Sequence, residues 1–224
     1  LYEKIKNIAK KHTVIAPDVP VAGDGLFTYE YCLENAAEIQ QVYDMLADDD
    51  SKKVFADVMN FKISGKIEYL DRCTSEKSSV YNDIIRPSSD ETYIDLGAYN
   101  GDTVSEFISY AKDYKKIIAL EPDSKNFKKL VRNTENFSNI ETHNAVAWNC
   151  DTCIPFDSRN GRQSSVKKSG VLSQARSVDS ILDGSEAGII KMDIEGAEYQ
   201  AIKGAENTIR RHSPKLMISL YHRN

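Results

Sequence analysis

Four cysteines in 224 residues, Cys32, Cys73, Cys150 and Cys153, are too few to staple a chain of this size. A disulfide-framed secreted scaffold is excluded, and the sparse usage fits a reducing, cytoplasmic setting. Long apolar runs are also missing: no stretch would span a bilayer, and nothing at the N-terminus reads as a signal peptide. Nor is there an excess of basic charge, with 29 Lys and Arg against 34 Asp and Glu. The basic residues fall in scattered pairs (Lys115-Lys116, Lys128-Lys129, Lys167-Lys168, Arg210-Arg211) without the aromatic interleaving of a nucleic-acid groove. These absences describe a soluble protein with neither nucleic acid nor membrane as partner.

What is present changes texture along the chain. After the apolar run Thr13–Ala16, Pro17, Pro20, Gly23 and Gly25 punctuate a loop. Ala36, Ile39, Val42, Tyr43 and Leu46 then share one helical face, and Val54, Phe55, Val58, Met59 and Phe61 share another. Between them Asp48-Asp49-Asp50-Ser51 ends one helix and caps the next, which is a simpler reading than a metal site. The largely polar stretch Asp71–Asp90 with Pro87 marks a boundary. Residues 1–88 are therefore expected to form a helical appendage and 89–224 a second domain.

From Thr92 the chain alternates strand and helix. Tyr93-Ile94-Asp95-Leu96 is an apolar strand that delivers Gly97, turns through Ala98, Tyr99 and Asn100 to Gly101, and restarts as a helix carrying Val104, Phe107, Ile108 and Ala111, with Asp102 or Thr103 placed to cap. A loop of this kind lets a nucleotide-like ligand approach the backbone at a helix N-terminus. Lys116–Leu120 is a second buried strand, ending on Glu121-Pro122-Asp123, with Ser124 opening the next helix. Right-handed crossovers put it beside the first, so that Glu121 stands where it can accept two hydrogen bonds from a ribose diol. Ile140–Trp148 reads as a third strand. Cys150–Phe156 and Val166–Gln174 read as short strands around a polar loop, and Val178, Ile181 and Leu182 as a short helix. The bare C-x-x-C of Cys150 and Cys153 has only His143 as a further ligand and is read as a turn.

Gly188–Met192 is another buried strand. It ends on Asp193, with Glu195 at the turn and Gly196 opening a helix whose inward face carries Ala201, Ile202, Ala205 and Ile209. Lys215–Tyr221 is a fifth strand, with His222 at its carboxyl end. In a parallel sheet all these polar ends meet on one rim.

Three stretches together resemble the FkbM family of S-adenosylmethionine-dependent methyltransferases: Asp95-Leu-Gly-Ala-Tyr-Asn-Gly-Asp102, Leu120-Glu-Pro-Asp123 with Asn126-Phe127, and Lys191-Met-Asp-Ile-Glu-Gly-Ala-Glu198 with Lys203-Gly204-Ala205. The resemblance covers Thr92–His222. It implies an α/β fold: a doubly wound, mostly parallel Rossmann-like methyltransferase sheet, here with an N-terminal helical appendage. It also implies S-adenosylmethionine as methyl donor and O-methylation of a hydroxyl on a sugar, another glycan or a natural product. On this reading the loop Gly97–Gly101 holds the methionine part and Asp95 its amino end, directly or through water, with Asp102 beside the loop. Glu121 holds the ribose, Asp123 and Asn144-Ala145-Val146 flank the adenine, and Pro122 is counted with them as cofactor-binding.

An aliphatic hydroxyl needs a base, and Asp193, Glu195 and His222 are the candidates, with Asp193 or His222 as base and Glu195 orienting. A divalent ion held by the two carboxylates is the alternative, and both carboxylates can also be read as helix caps. Two rival classes follow from the same residues. A dinucleotide-binding oxidoreductase would show G-x-G-x-x-G, whereas Tyr99 stands where the middle glycine belongs. A non-catalytic nucleoside-binding or assembly module would keep the loop and use the carboxylates only as caps. Leu1 in place of an initiator Met, and a stop straight after a core-like strand, imply a longer natural protein. The final hairpin of such sheets is then expected to lie beyond Asn224.

Overall fold

The computed structural model describes residues 5, 7–8, 10–16, 27–157, 165–166 and 171–220, and the chain divides into two units, one up to Glu76 and one from Lys77 to His222. The first unit is helical, as the apolar spacing predicts. Thr28 caps α1 (Tyr29–Glu34) by accepting the Tyr31 N–H at 3.2 Å. After α2 (Ala36–Met45), Asp48 caps α3 (Asp49–Ser64) by accepting the Ser51 N–H at 2.7 Å, so the acidic cluster is a helix junction. Gly65, at φ 67°, ends α3 in the left-handed conformation. α4 (Ile67–Cys73) is tied back to α3 by Arg72, whose Nη2 and Nε reach the Asp57 carboxylate at 2.6 and 3.1 Å.

The second unit begins inside the polar stretch. α5 (Lys77–Ser79) runs into a π-helical turn (Val80–Ile85) that buries Tyr81 and Ile85. The widened π spacing does not match a 3.6-residue period, which is why the sequence pattern hides it. Next come β1 (Thr92–Leu96), α6 (Asp102–Ala111), β2 (Lys116–Leu120), α7 (Ser124–Thr134) and β3 (Ile140–His143). Then follow β4 (Val146–Ala147), β5 (Thr152–Asp157), β6 (Ser165–Val166) and β7 (Val171–Arg176). The unit closes with α8 (Val178–Leu182), β8 (Ile189–Met192), α9 (Glu198–Lys203), α10 (Glu206–His212) and β9 (Lys215–Ile218).

The main sheet has the order β3-β2-β1-β8-β9 and every pairing in it is parallel. Its central strands β1, β2 and β8 are buried on both faces, and the edge strands β3 and β9 only in part. Tyr93, Ile117, Ala119 and Ile189 pack with Val104 and Phe107 of α6, Leu130 of α7, and the π-turn. Ile94, Leu96, Ile118, Ile190 and Met192 pack with Val178 and Leu182 of α8, Ala201 of α9 and Ala205. Helices on both faces of a parallel sheet make the doubly wound, Rossmann-like architecture expected from the alternation.

Two expectations are corrected. Ile140–Trp148 is not one strand: β3 belongs to the main sheet, and β4 to a second sheet of order β4-β7-β5-β6. The break falls at Asn144, whose Nδ2 donates to the carbonyls of Glu121 and Pro122 at 2.8 and 3.0 Å and so holds the end of β3 to the end of β2. The helix after Gly196 is likewise divided. Asp179 of α8 donates its N–H to the Gly204 carbonyl at 2.9 Å, and its carboxylate accepts the Asn207 and Thr208 N–H groups at 3.0 and 2.8 Å. It thereby supplies α10 with an N-terminal cap from outside the helix. Among the described residues no helix is long and apolar enough to cross a membrane.

Gly204 sits at that division, where a Cβ would lie 2.0 Å from the Trp148 carbonyl oxygen. Backbone on both sides cannot give way, so Gly204→Ala is expected to cost about 2 kcal/mol and to lower the melting temperature of the second unit by roughly 4–8 °C. Differential scanning calorimetry of the two proteins checks this, and an unchanged transition would sink it.

Candidate functional site

The strands of the main sheet end level with one another. Leu96 of β1 pairs with Leu120 of β2 and Met192 of β8, Leu120 pairs with His143, and Met192 with Ile218. The residues that follow therefore form a rim in the order Asn144, Glu121, Gly97, Asp193, Ser219. With neighbouring strands about 4.8 Å apart, the backbones of Glu121 and Asp193 stand about 10 Å from each other with the loop of Gly97 between them. The predicted convergence of Glu121 and Asp193 on one edge is observed, with Asp95 set two residues back from Gly97 inside β1. His222 lies outside the described residues.

Glu121 is the most perturbed acid on this rim. It is 6% exposed, its Oε2 accepts the Tyr99 N–H and its Oε1 the Asp123 N–H, both at 2.9 Å. Burial pushes the carboxyl up from 4.5 to about 7, against those two N–H groups, which pull it down. The Asn126 side chain also donates to this carboxyl, so three of its four acceptor positions are used and one remains for a ribose hydroxyl. Asp123 caps α7 through Oδ1, which takes the N–H groups of Lys125 and Asn126 at 3.0 and 2.8 Å. Pro122 is half-buried between these acids, Ala145 is buried, and Asn144 is exposed at the rim.

The loop differs in detail from its sequence reading. Both glycines are at positive φ, 82° and 87°. Their missing side chains make room for protein and not for a ligand: a Cβ on Gly97 would lie 2.2 Å from the Asp193 carbonyl oxygen, and one on Gly101 would lie 3.2 Å from Leu130 Cδ1. The α6 cap position is Gly101, not Asp102 or Thr103. The Asp102 N–H is taken by Asn100 Oδ1 at 3.2 Å and the Thr103 N–H by Asp102 Oδ1 at 3.0 Å, so the helix start does not present them to a ligand. Ala98 is buried, with its N–H on the Leu120 carbonyl at 2.9 Å. What remains toward the crevice is the backbone and half-buried side chain of Tyr99, itself left-handed at φ 49°.

Asp95 is 0% exposed. Its Oδ2 accepts the Thr103 hydroxyl and its Oδ1 is 2.9 Å from Lys191 Nζ, so the carboxylate expected to meet a ligand's amino end, directly or through water, is engaged in an internal ion pair. Lys191 also donates to the Gly97 carbonyl at 3.1 Å. Lys191 was assigned no role from sequence, and Thr103 only that of a helix cap. The only signal was Lys191 standing two residues before Asp193 in the last motif, at the position of β8 that pairs with Asp95.

After β8 the chain makes the turn Asp193–Ala197, with Glu195 left-handed at φ 53°. The carboxylate that knits it is Glu198, 8% exposed, whose Oε1 accepts the Ile194 N–H at 3.1 Å and Oε2 the Gly196 N–H at 2.9 Å. These N–H groups go to Glu198, not to Asp193 or Glu195, which stand half-buried on the rim. Among the described residues no three His, Cys, Asp or Glu side chains form a metal-sized group, and Cys150 and Cys153 are free and exposed.

The state of Glu121 links stability to pH. The unfolded chain releases its proton near 4.5 and the fold holds it to about 7. Between these values the folded state binds the extra proton, so stability is greatest below 4.5 and falls as pH rises through 7, by about 3 kcal/mol from this residue. Urea unfolding at pH 5 and pH 7.5 should show the wild type losing more stability over this interval than Glu121→Gln. Parallel pH dependences would contradict the assignment.

The comparisons agree with the geometry. A family model for the methyltransferase FkbM domain matches residues 95–224. The chain is 30% identical to methyltransferase FkbM from Methylobacillus flagellatus KT, with a TM-score of 0.73 over 87% of this chain and 50% of that one, so it spans about half that relative's length. An rRNA methylase from Streptococcus thermophilus is 12% identical, with a TM-score of 0.38 over 59% of this chain and 62% of that one. A search of curated proteins gives no match. With more than half of the chain matched by the family model, and with the rim built from the same stretches, the chain belongs to the FkbM methyltransferase-domain family.

Proposed function

We propose that the second unit binds S-adenosylmethionine on the rim between β2, β1 and β8 and catalyses O-methylation of a sugar or natural-product hydroxyl. The observation that carries the reading is Glu121: a buried carboxylate with one acceptor position to spare, one strand from the Gly97–Gly101 loop and two from the Asp193–Glu195 turn. The fit to an adenosyl ligand is chemical. Glu121 accepts from the ribose diol, Pro122, Asn144 and Ala145 border the base, and the backbone of Tyr99 and Asn100 lies against the amino-acid end. Bound there, S-adenosylmethionine supplies a methyl group on a sulfonium, ready for transfer to an oxygen. The chain's own work is to hold that geometry and to keep water out, which accounts for most of the barrier reduction in such a displacement. Asp193 takes the hydroxyl proton as the new carbon–oxygen bond forms, and Glu195 orients the acceptor.

Calorimetric titration with S-adenosylmethionine, S-adenosylhomocysteine and NAD tests the reading. Micromolar binding of both adenosyl ligands, lost in Glu121→Ala and absent with NAD, is expected. Binding of NAD, or of neither adenosyl ligand, would refute it. With a radiolabelled methyl donor and a panel of sugar and polyketide hydroxyls, Asp193→Asn should keep S-adenosylhomocysteine binding while transfer drops by about a hundredfold or more. Undiminished transfer in that variant removes Asp193 as base, and a chain that binds donor but methylates nothing is a binding module.

A further inference from the structure

We propose that Lys191 is a positioning residue that fixes the donor loop against the acceptor turn; this rests on the reading of the rim given above. Its side chain is 12% exposed and its ammonium makes two contacts that belong to different elements: Asp95 Oδ1 on β1 at 2.9 Å, and the Gly97 carbonyl, the first residue of the loop, at 3.1 Å. Through the other oxygen of Asp95 the network reaches the Thr103 hydroxyl in the first turn of α6. Lys191 itself lies on β8, two residues before Asp193. That residue's N–H bonds the Leu96 carbonyl at 3.1 Å, and its own carbonyl crowds Gly97 too closely for a Cβ. One cation thus joins the end of β1, the loop, the start of α6 and the strand that carries the acceptor turn. A displacement of the loop by a fraction of an ångström would change the approach of an acceptor oxygen to the donor methyl, where alignment governs rate.

The simpler role would be to neutralise Asp95. The two roles part in the double substitution Lys191→Met with Asp95→Asn, which removes both charges together and so leaves no buried ion unpaired, but also removes the bond to the Gly97 carbonyl. If neutralisation is all that Lys191 does, the double variant should behave as the wild type.

The proposal expects the double variant to melt within a few degrees of the wild type. Hydrogen exchange at the amides of Gly97, Ala98, Tyr99 and Gly101 should be about tenfold faster, and S-adenosylhomocysteine binding about tenfold weaker, the equivalent of one charge-assisted hydrogen bond. Wild-type protection of those four amides in a stable double variant overturns it. Should the double variant not fold, nitrogen-15 spectra of the wild type decide: a slowly exchanging Lys191 ammonium coupled to the Gly97 carbonyl supports the assignment, and its absence overturns it. If the wild type itself does not bind S-adenosylhomocysteine, the methyl-donor reading fails, and the exchange comparison still decides the role of Lys191.

Discussion

The buried ion pair between Asp95 and Lys191 is the constraint on which the rest of the rim depends. A carboxylate with no exposure costs several kcal/mol to bury, and is tolerated only with a fixed opposite charge beside it. The parallel register supplies the partner, because Asp95 is aligned with Lys191 and their side chains fall on the same face of the sheet. A slip of one residue would set Asp95 against Ile190 or Met192, whose side chains point into the other, apolar layer. Charge pairing therefore pins the register of two strands that hydrophobicity alone would let slide. With the register fixed, Gly97, Glu121 and Asp193 emerge at one level.

The rim divides its work between side chains that hold and side chains that stand ready. Asn144, Asp123 and Glu198 spend their polar atoms on backbone groups of neighbouring strand ends and turns. Glu121 is different: it accepts two backbone N–H groups and remains so reluctant to ionise that its proton is labile near neutrality. Two non-glycine residues in the left-handed region, Tyr99 and Glu195, lie on the loops that bound the crevice. Backbone of that kind costs about 1–2 kcal/mol per residue and persists only where its surroundings dictate it.

Much of this was legible in the sequence because the signals are local. An apolar run ending in Asp-Leu-Gly announces β1 and its loop, Glu121 follows its strand directly, and Asp193 and Glu195 follow theirs. What was not legible depends on partners distant in the chain. Asn144 reads as the middle of a strand until β2 offers two carbonyls to its amide. Gly204 reads as a pause in one helix until Asp179 caps the next. Asp95 reads as a ligand contact because nothing in its own stretch announces Lys191, 96 positions later. Glu198 looks like any acid opening a helix, and only the folded turn shows it reaching back to Ile194 and Gly196. The spacing of its motif was visible, but not its direction.

The second, smaller sheet has an architectural consequence. Its chain enters at Val146–Ala147 and leaves at Ala175–Arg176, and these two segments pair with each other, with the Trp148 N–H on the Arg176 carbonyl at 2.9 Å. Val146, Phe156 and Ala175, with Trp148 and Ile154, give the excursion a core of its own. It is a pendant closed at the neck, hung from the end of the parallel sheet that carries the rim. Such a pendant can be lengthened, shortened or exchanged between related proteins without passing strain to the strands that hold Glu121 and Asp193. The parallel frame and the excursion can thereby differ in length independently of one another.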